Sequence, residues 1–153
     1  MILRNIPDLC LQHDHSLAVL RVEWIGGHDM SSLRNTAQYL MASLRSLEVR
    51  HLLIDMDSVP DLSVEDQVWL GDYWMPELVA LGLERFALVI GSNQIHNQLA
   101  VDALHNLVQP AIRFDMQYFT DSVSALDWLT HSSERLPALE AEWETRLGSV
   151  PAL

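Results

Sequence analysis

HLLIDMDSVPDLSVEDQVWLGDYWMPELVALGLERFALVIG, residues 51–91, holds two short apolar runs joined by a long amphipathic segment. HLLIDM at 51–56 ends on a carboxylate, and RFALVIG at 85–91 is bounded by Gly91-Ser92-Asn93. Each run is apolar on both sides of an extended chain, which is the pattern of a central strand covered on two faces. Between them, residues 63–81 follow a helical period, with Ser63 and Asp66 at capping-box spacing. Two strands joined by one helix need a right-handed crossover, so they run parallel. The class is therefore α/β.

The rest of the chain extends this unit in both directions. LAVLRVEWI at 17–25 places Ala18, Leu20, Val22 and Trp24 on one face and Arg21 and Glu23 on the other, as in a half-buried strand. A weaker stretch around Ile6 to Leu11 makes the first arm of a hairpin, with the His13-Asp14-His15 segment as its polar connection. From Ser32 the period becomes helical through Leu33, Ala37, Leu40, Leu44 and Leu47, with Asp29 or Ser31 as cap. Asn93 opens a helix to Val108 that uses Ile95, Leu99, Leu104 and Leu107 as its apolar face, and Pro110 stops it. IRFDMQYF at 112–119 alternates as a strand near the sheet edge. Asp121 or Ser122 starts a short helix with Ala125, Leu126 and Leu129, and Pro137 opens an extra C-terminal helix over 137–147 with Leu139, Trp143 and Leu147. GSVPAL at 148–153 reads as a loose tail. The prediction for residues 1–153 is a single domain with one sheet of mainly parallel strands, an antiparallel N-terminal hairpin, and helices covering the sheet.

Nine Arg against 21 Asp+Glu give the 153 residues a formal net charge of −12. That charge repels phosphate backbones and anionic headgroups, so neither nucleic acid nor a membrane is expected as a partner. Cys10 is the one cysteine, which excludes an intrachain disulfide and thiolate zinc sites and fits a reducing, cytoplasmic setting. MILRNIPDLCLQ carries a charge and a proline where a signal peptide needs an apolar core. No apolar window is long enough to span a bilayer. The absence of Lys removes Schiff-base chemistry and a P-loop lysine.

The succession VEW-G at 22–26, LLIDMD at 52–57, a Trp-containing helix ending in LVALGLERFALVIGS, and YFTDSVSALDWL resembles the STAS-like, or SpoIIAA-like, domains of bacterial STAS/SEC14-like proteins. The resemblance covers residues 17–131. It implies a protein-binding module of bacterial signalling, sometimes switched by serine phosphorylation, and related SEC14-type folds carry lipids in an apolar pocket. Anti-sigma-antagonist members place an Asp-Ser-Ser-Gly loop before the phosphorylated helix. This chain has DMDSVPDLSVED there, with Ser63 nearest the helix start, Ser58 earlier in the loop, and no glycine. Ser63 is the candidate phosphorylation site; its other reading is a plain helix N-cap, where Asp61, Glu65 and Asp66 would oppose an added phosphate.

Several constellations bear on chemistry. His13 and His15 share a face of an extended chain but lack a clear third ligand, and His96 and His105 do not share a helical face, so no metal and no cofactor are expected. Gly91-Ser92 lacks the second glycine of a nucleophile elbow. Asp55, Asp57 and Asp61 follow the C-terminal end of a parallel strand, where ligands of open α/β sheets bind. In the helix 63–81, Val64, Val68, Met75 and Val79 form one stripe, Leu70, Trp74, Leu78 and Leu81 a second, and Trp69 and Tyr73 a third line. One sheet face cannot cover all three, and Gly71 and Pro76 should break the helix. The C-terminal helix, through Trp143, could fold over this surface. The leading expectation is a non-enzymatic interaction module, homodimeric through Trp69, Tyr73, Trp74 and Met75. The alternative is a small apolar or lipid-like ligand held beneath the aromatic helix. A weaker one is an enzyme using Asp55, Asp57 or Asp61 beside His51 or His96.

Overall fold

The structure, a computed structural model, describes residues 1–147, so the tail expected at 148–153 lies outside the described residues. Six strands lie side by side in chain order: β1 (Ile2–Leu3), β2 (Leu9–Asp14), β3 (Val19–Trp24), β4 (His51–Asp55), β5 (Arg85–Val89) and β6 (Asp115–Phe119). β1, β2 and β3 are antiparallel neighbours, and β3 to β6 run parallel. The parallel steps are made by α1 (Leu33–Ser46), by α2 (Val64–Trp69) and α3 (Met75–Ala80) with a π-helical turn (Leu70–Trp74) between them, and by α4 (Ile95–Val108). Right-handed crossovers that all advance in one direction place these helices on one face of the sheet. α5 (Ser122–Thr130) and α6 (Leu136–Glu144) cover the other.

The period-2 alternation of the strands divides the core accordingly. Leu20, Val22, Leu52, Phe86 and Leu88 face α1 to α4 and pack with Leu40, Leu44, Trp74 and Leu78. Val19, Leu53, Ala87 and Val89 face the opposite way and meet Leu126, Leu129 and Leu139. α3 ends at Gly82, whose φ of +80° supplies the left-handed turn that closes a helix with little strain.

The structure departs from the expected pattern in four places. The hairpin connection is His15 to Ala18; His13 and Asp14 belong to β2 and are buried. β1 adds a two-residue edge strand that no periodicity reveals. α4 turns Ile95, Leu99 and Leu107 outward and buries Asn97, Ala100 and Val108 instead. β3 is not half-buried: Arg21 is 2% exposed because α6 lies over it.

Polar groups fasten that last helix. Arg21 donates to Glu140 at 3.2 Å and to the Ser122 hydroxyl at 2.6 Å. Arg146 donates to both oxygens of Glu23, at 2.8 and 3.0 Å, and Gln12 donates to the Leu139 carbonyl at 2.7 Å. The guanidinium carbons of Arg21 and Arg146 lie 4.2 and 4.5 Å from the Trp143 ring centroid, so cations stack on the indole. Trp143 and α6 are therefore committed to the face opposite the aromatic helix.

At the start of that face, Asp14 meets Arg135 at 2.6 Å. Burial alone would raise the Asp14 carboxyl, but hydrogen bonds from Ser16, Arg135 and the Leu17 N–H outweigh it and hold the pKa at about 2. A depressed folded pKa stabilises above the unfolded value of 3.8 and loses its effect as pH falls through about 2. With Arg135 largely exposed and screened, Asp14→Asn should cost about 1–2 kcal/mol near neutrality, and the gap from wild type should close between pH 4 and pH 2 in urea unfolding.

Candidate functional site

The site begins where β4 ends. The Asp57 N–H donates to the Asp55 carboxylate at 2.9 Å, and the Gly91 N–H donates to the Asp57 carboxylate at 2.7 Å. Burial raises the Asp55 carboxyl, with Asp57 and Glu23 adding to the effect. Alternation along β4 directs Asp55 toward Arg21, on the α5–α6 face. Asp61 is exposed. Asp55 and Asp57 are thus close neighbours, and Asp57 and Asp61 border one surface pocket, but neither His51 nor His96 joins them: His51 pairs with Glu84 at 3.5 Å, and His96 Nε2 meets the Leu62 carbonyl at 2.8 Å. Among the described residues, no group of three or more His, Cys, Asp or Glu is placed to hold a metal ion. His13 and His15 have ring centroids 6.3 Å apart, and burial lowers the His13 pKa.

What the loop does instead is brace the helices. Asn97, fully buried, accepts from the Leu62 N–H at 3.0 Å and donates to the carbonyls of Val59 and Pro60, both at 3.1 Å. The Ser58 hydroxyl donates to the Trp24 carbonyl at 2.6 Å. Asn97 carried no sequence signal because a polar residue between His96 and Gln98 on a helix looks like a solvent position; only its three bonds to one loop mark it. Ser63 caps α2 by accepting the Asp66 N–H at 3.1 Å. Ser63→Ala should therefore cost about 1 kcal/mol, a fall of about 2–4 °C in Tm, whereas Ser63→Asn should retain stability in the same calorimetric scan.

The break expected at Gly71 and Pro76 is the π-helical turn. Pro76 has no N–H, so its usual helical bond is missing, and the Met75 N–H reaches back five residues to the Leu70 carbonyl. Gly71 faces α4: a Cβ there would sit 3.0 Å from Leu107 Cδ2 and 3.3 Å from Leu104 Cδ2, so its absence lets the two helices approach. The turn divides the four predicted residues. Trp74 points inward, 7% exposed, and its Nε1 donates to the Ala37 carbonyl at 2.8 Å. This removes Trp74 from the outer surface expected of it. Met75 is half-buried beside it. Trp69 is half-buried with its ring 6.4 Å from that of Tyr73, and Tyr73 is 66% exposed. Residues 137–147 do not cover them.

Beneath the turn is a cavity of about 150 Å³. Its floor is the sheet, through Val22, Ile54, Leu88 and Met116; its roof is Leu70, Trp74 and Met75; α1 closes it with Leu40 and α4 with Val101 and Leu104. Two of the polar residues at its wall, Thr36 and His105, have partners of their own. The Thr36 hydroxyl donates to the Pro7 carbonyl at 3.2 Å, and His105 Nδ1 stands 3.4 Å from the Tyr118 hydroxyl. Burial pushes the Tyr118 pKa up to about 12, with Asp102 adding to the shift. Enclosed apolar cavities of this size in other proteins stay dry and bind benzene.

No protein-family model, curated protein or solved structure matches the chain. The site must therefore be read from its own chemistry. It has an apolar cavity under an interrupted helix and, outside that helix, a row of uncovered apolar side chains. No helix of the described residues is long and apolar enough to cross a membrane.

Proposed function

We propose that this chain is a non-enzymatic, STAS-like binding module that holds a small apolar molecule in the cavity beneath the π-helical turn. The strand succession, antiparallel at the start and parallel afterwards, supports the STAS-like part of the reading. The cavity of about 150 Å³ carries the rest. It lies well below the roughly 300–1,000 Å³ of a drug-sized site, so the ligand is a single ring or short alkyl chain, and the lipid-like alternative narrows to that size. π-turns concentrate at functional sites because a ladder with a missing bond can shift at low cost. Leu70, Trp74 and Met75, all on this turn or beside it, are the residues that move to admit the ligand.

A benzene titration followed by NMR tests this. The Trp74 Nε1–H and Met75 methyl resonances should shift and saturate, while those of Trp128 and Trp143, across the sheet, stay fixed. An unmoved Trp74 signal, or a shift that never saturates, would remove the proposal.

The outer row favours a second reading, a protein-contact module. Val64, Val68 and Tyr73 on one helical unit and Ile95, Leu99 and Leu107 on the next are all exposed, although isolated exposed apolar residues are the ordinary case.

A further inference from the structure

We propose that the outer face formed by α2, the π-turn and α4 docks a basic amphipathic helix of a partner protein, which rests on the contact-surface reading above. Two observations carry it. Val64, Val68, Tyr73, Ile95, Leu99 and Leu107 are between 56% and 71% exposed, and all lie on these two neighbouring helical units. A Cβ at Gly71 would sit 3.0 Å from Leu107 Cδ2, so the π-turn and α4 pack closely and their exposed apolar side chains stand on adjoining units. An amphipathic helix laid across such a face presents apolar residues at i, i+3, i+4 and i+7.

Charge selects among occupants. Residues 64–80 and 95–108 carry Glu65, Asp66, Asp72, Glu77 and Asp102 and not one Arg or Lys. Asp66 and Glu77 are paired with Arg34 and Arg45 of α1, at 3.1 and 3.3 Å. Glu65 and Asp72 flank the exposed Val64, Val68 and Tyr73 and have no ion-pair partner among the described residues, and Arg34, the one cation bordering this patch, is engaged by Asp66. A second copy would bring the same acids against each other, since a two-fold interface joins identical patches, and both chains carry a net charge of −12. Like charges across an interface oppose association, whereas Lys or Arg flanking an apolar stripe would complement it. The occupant is thus a positively charged helix from another protein and not a homodimer partner.

The test uses two fluorescein-labelled peptides of about 18 residues, long enough to be helical, with the same Leu stripe and either Lys or Glu at the flanking positions. In fluorescence anisotropy the Lys peptide should bind the full chain at least about tenfold more tightly than the Glu peptide. Val68→Ser/Leu99→Ser and, separately, Glu65→Gln/Asp72→Asn should each weaken the Lys peptide by about tenfold. Glu134→Gln/Glu144→Gln, which removes two acids on the opposite face, should leave it unchanged. All these positions are exposed, and unchanged circular-dichroism melts confirm that the variants fold. Absence of peptide binding, equal binding of both peptides, or equal loss with Glu134→Gln/Glu144→Gln overturns the proposal. So does a wild-type dimer in sedimentation that Val68→Ser/Leu99→Ser dissociates, because a second copy then occupies the face. Benzene binding by Trp74 is read separately, so either proposal can fail alone.

Discussion

Trp74→Ala should lower the unfolding free energy by about 3–5 kcal/mol in urea titration, the range for removing a large buried aromatic side chain. The upper half is expected for a specific reason. The indole borders a cavity that already measures about 150 Å³, so its removal enlarges an existing void, and the cost rises with the volume left empty. The hydrogen bond to Ala37 is the smaller part of the loss, about 1 kcal/mol, and Trp74→Phe should show it nearly alone. The enlarged cavity should also bind indole: at saturating concentration the ligand should restore a measurable share of the lost stability to Trp74→Ala and leave wild type unchanged. A loss below about 1 kcal/mol would mean that the indole is not part of the packed roof.

Glu140→Leu should cost about 3 kcal/mol, while Arg21→Met/Glu140→Leu should return to within about 1.5 kcal/mol of wild type. The asymmetry follows from burial. Arg21 is 2% exposed, and without Glu140 its charge retains the Ser122 hydroxyl and the Trp143 ring but no direct counter-ion, with its Nε unpartnered even in the intact protein. Replacing both partners removes the desolvated charge along with the acid that balances it. The same variants should separate α6 from the rest of the sheet in hydrogen exchange: Glu140→Leu should speed exchange in α6 and leave β4 and β5 protected. If the single and double variants lose equal stability, the pair is not coupled and α6 is held by its apolar contacts.

The interruption of residues 63–81 was legible because its causes are local: Pro76, without an N–H, and Gly71, without a Cβ, five residues before it on the same helical unit. β4 and β5 were legible as continuous apolar runs covered on both faces. β3 misled because Arg21 and Glu23 alternate with apolar residues as on a wet face; the groups that satisfy them, Glu140, Ser122 and Arg146, come from the far end of the chain. α4 misled for a related reason. Its most apolar stripe faces out, because Asn97 must face in to hold residues 59–62 and small Ala100 belongs on the same inward side. Of the candidate residues, the helical line Trp69–Tyr73 was found on the outer face and Trp74–Met75 at the cavity, a division set by the wide turn between them. The cavity itself had no sequence signal, since a void depends on how three helices and a sheet meet.

The claim that most depends on this geometry is that the cavity receives a ligand, and a thermal shift with benzene in wild type and Val101→Phe tests it most directly. Val101 lines the space, and the larger ring should occupy it. A ligand that binds only the folded state stabilises it by RT ln(1 + [L]/Kd), so Tm goes on rising with ligand concentration even after the site is full. Wild type should gain stability with benzene concentration along a single-site curve, and Val101→Phe, folded by circular dichroism, should gain none. An equal response in both proteins, or no response in wild type, would contradict the account.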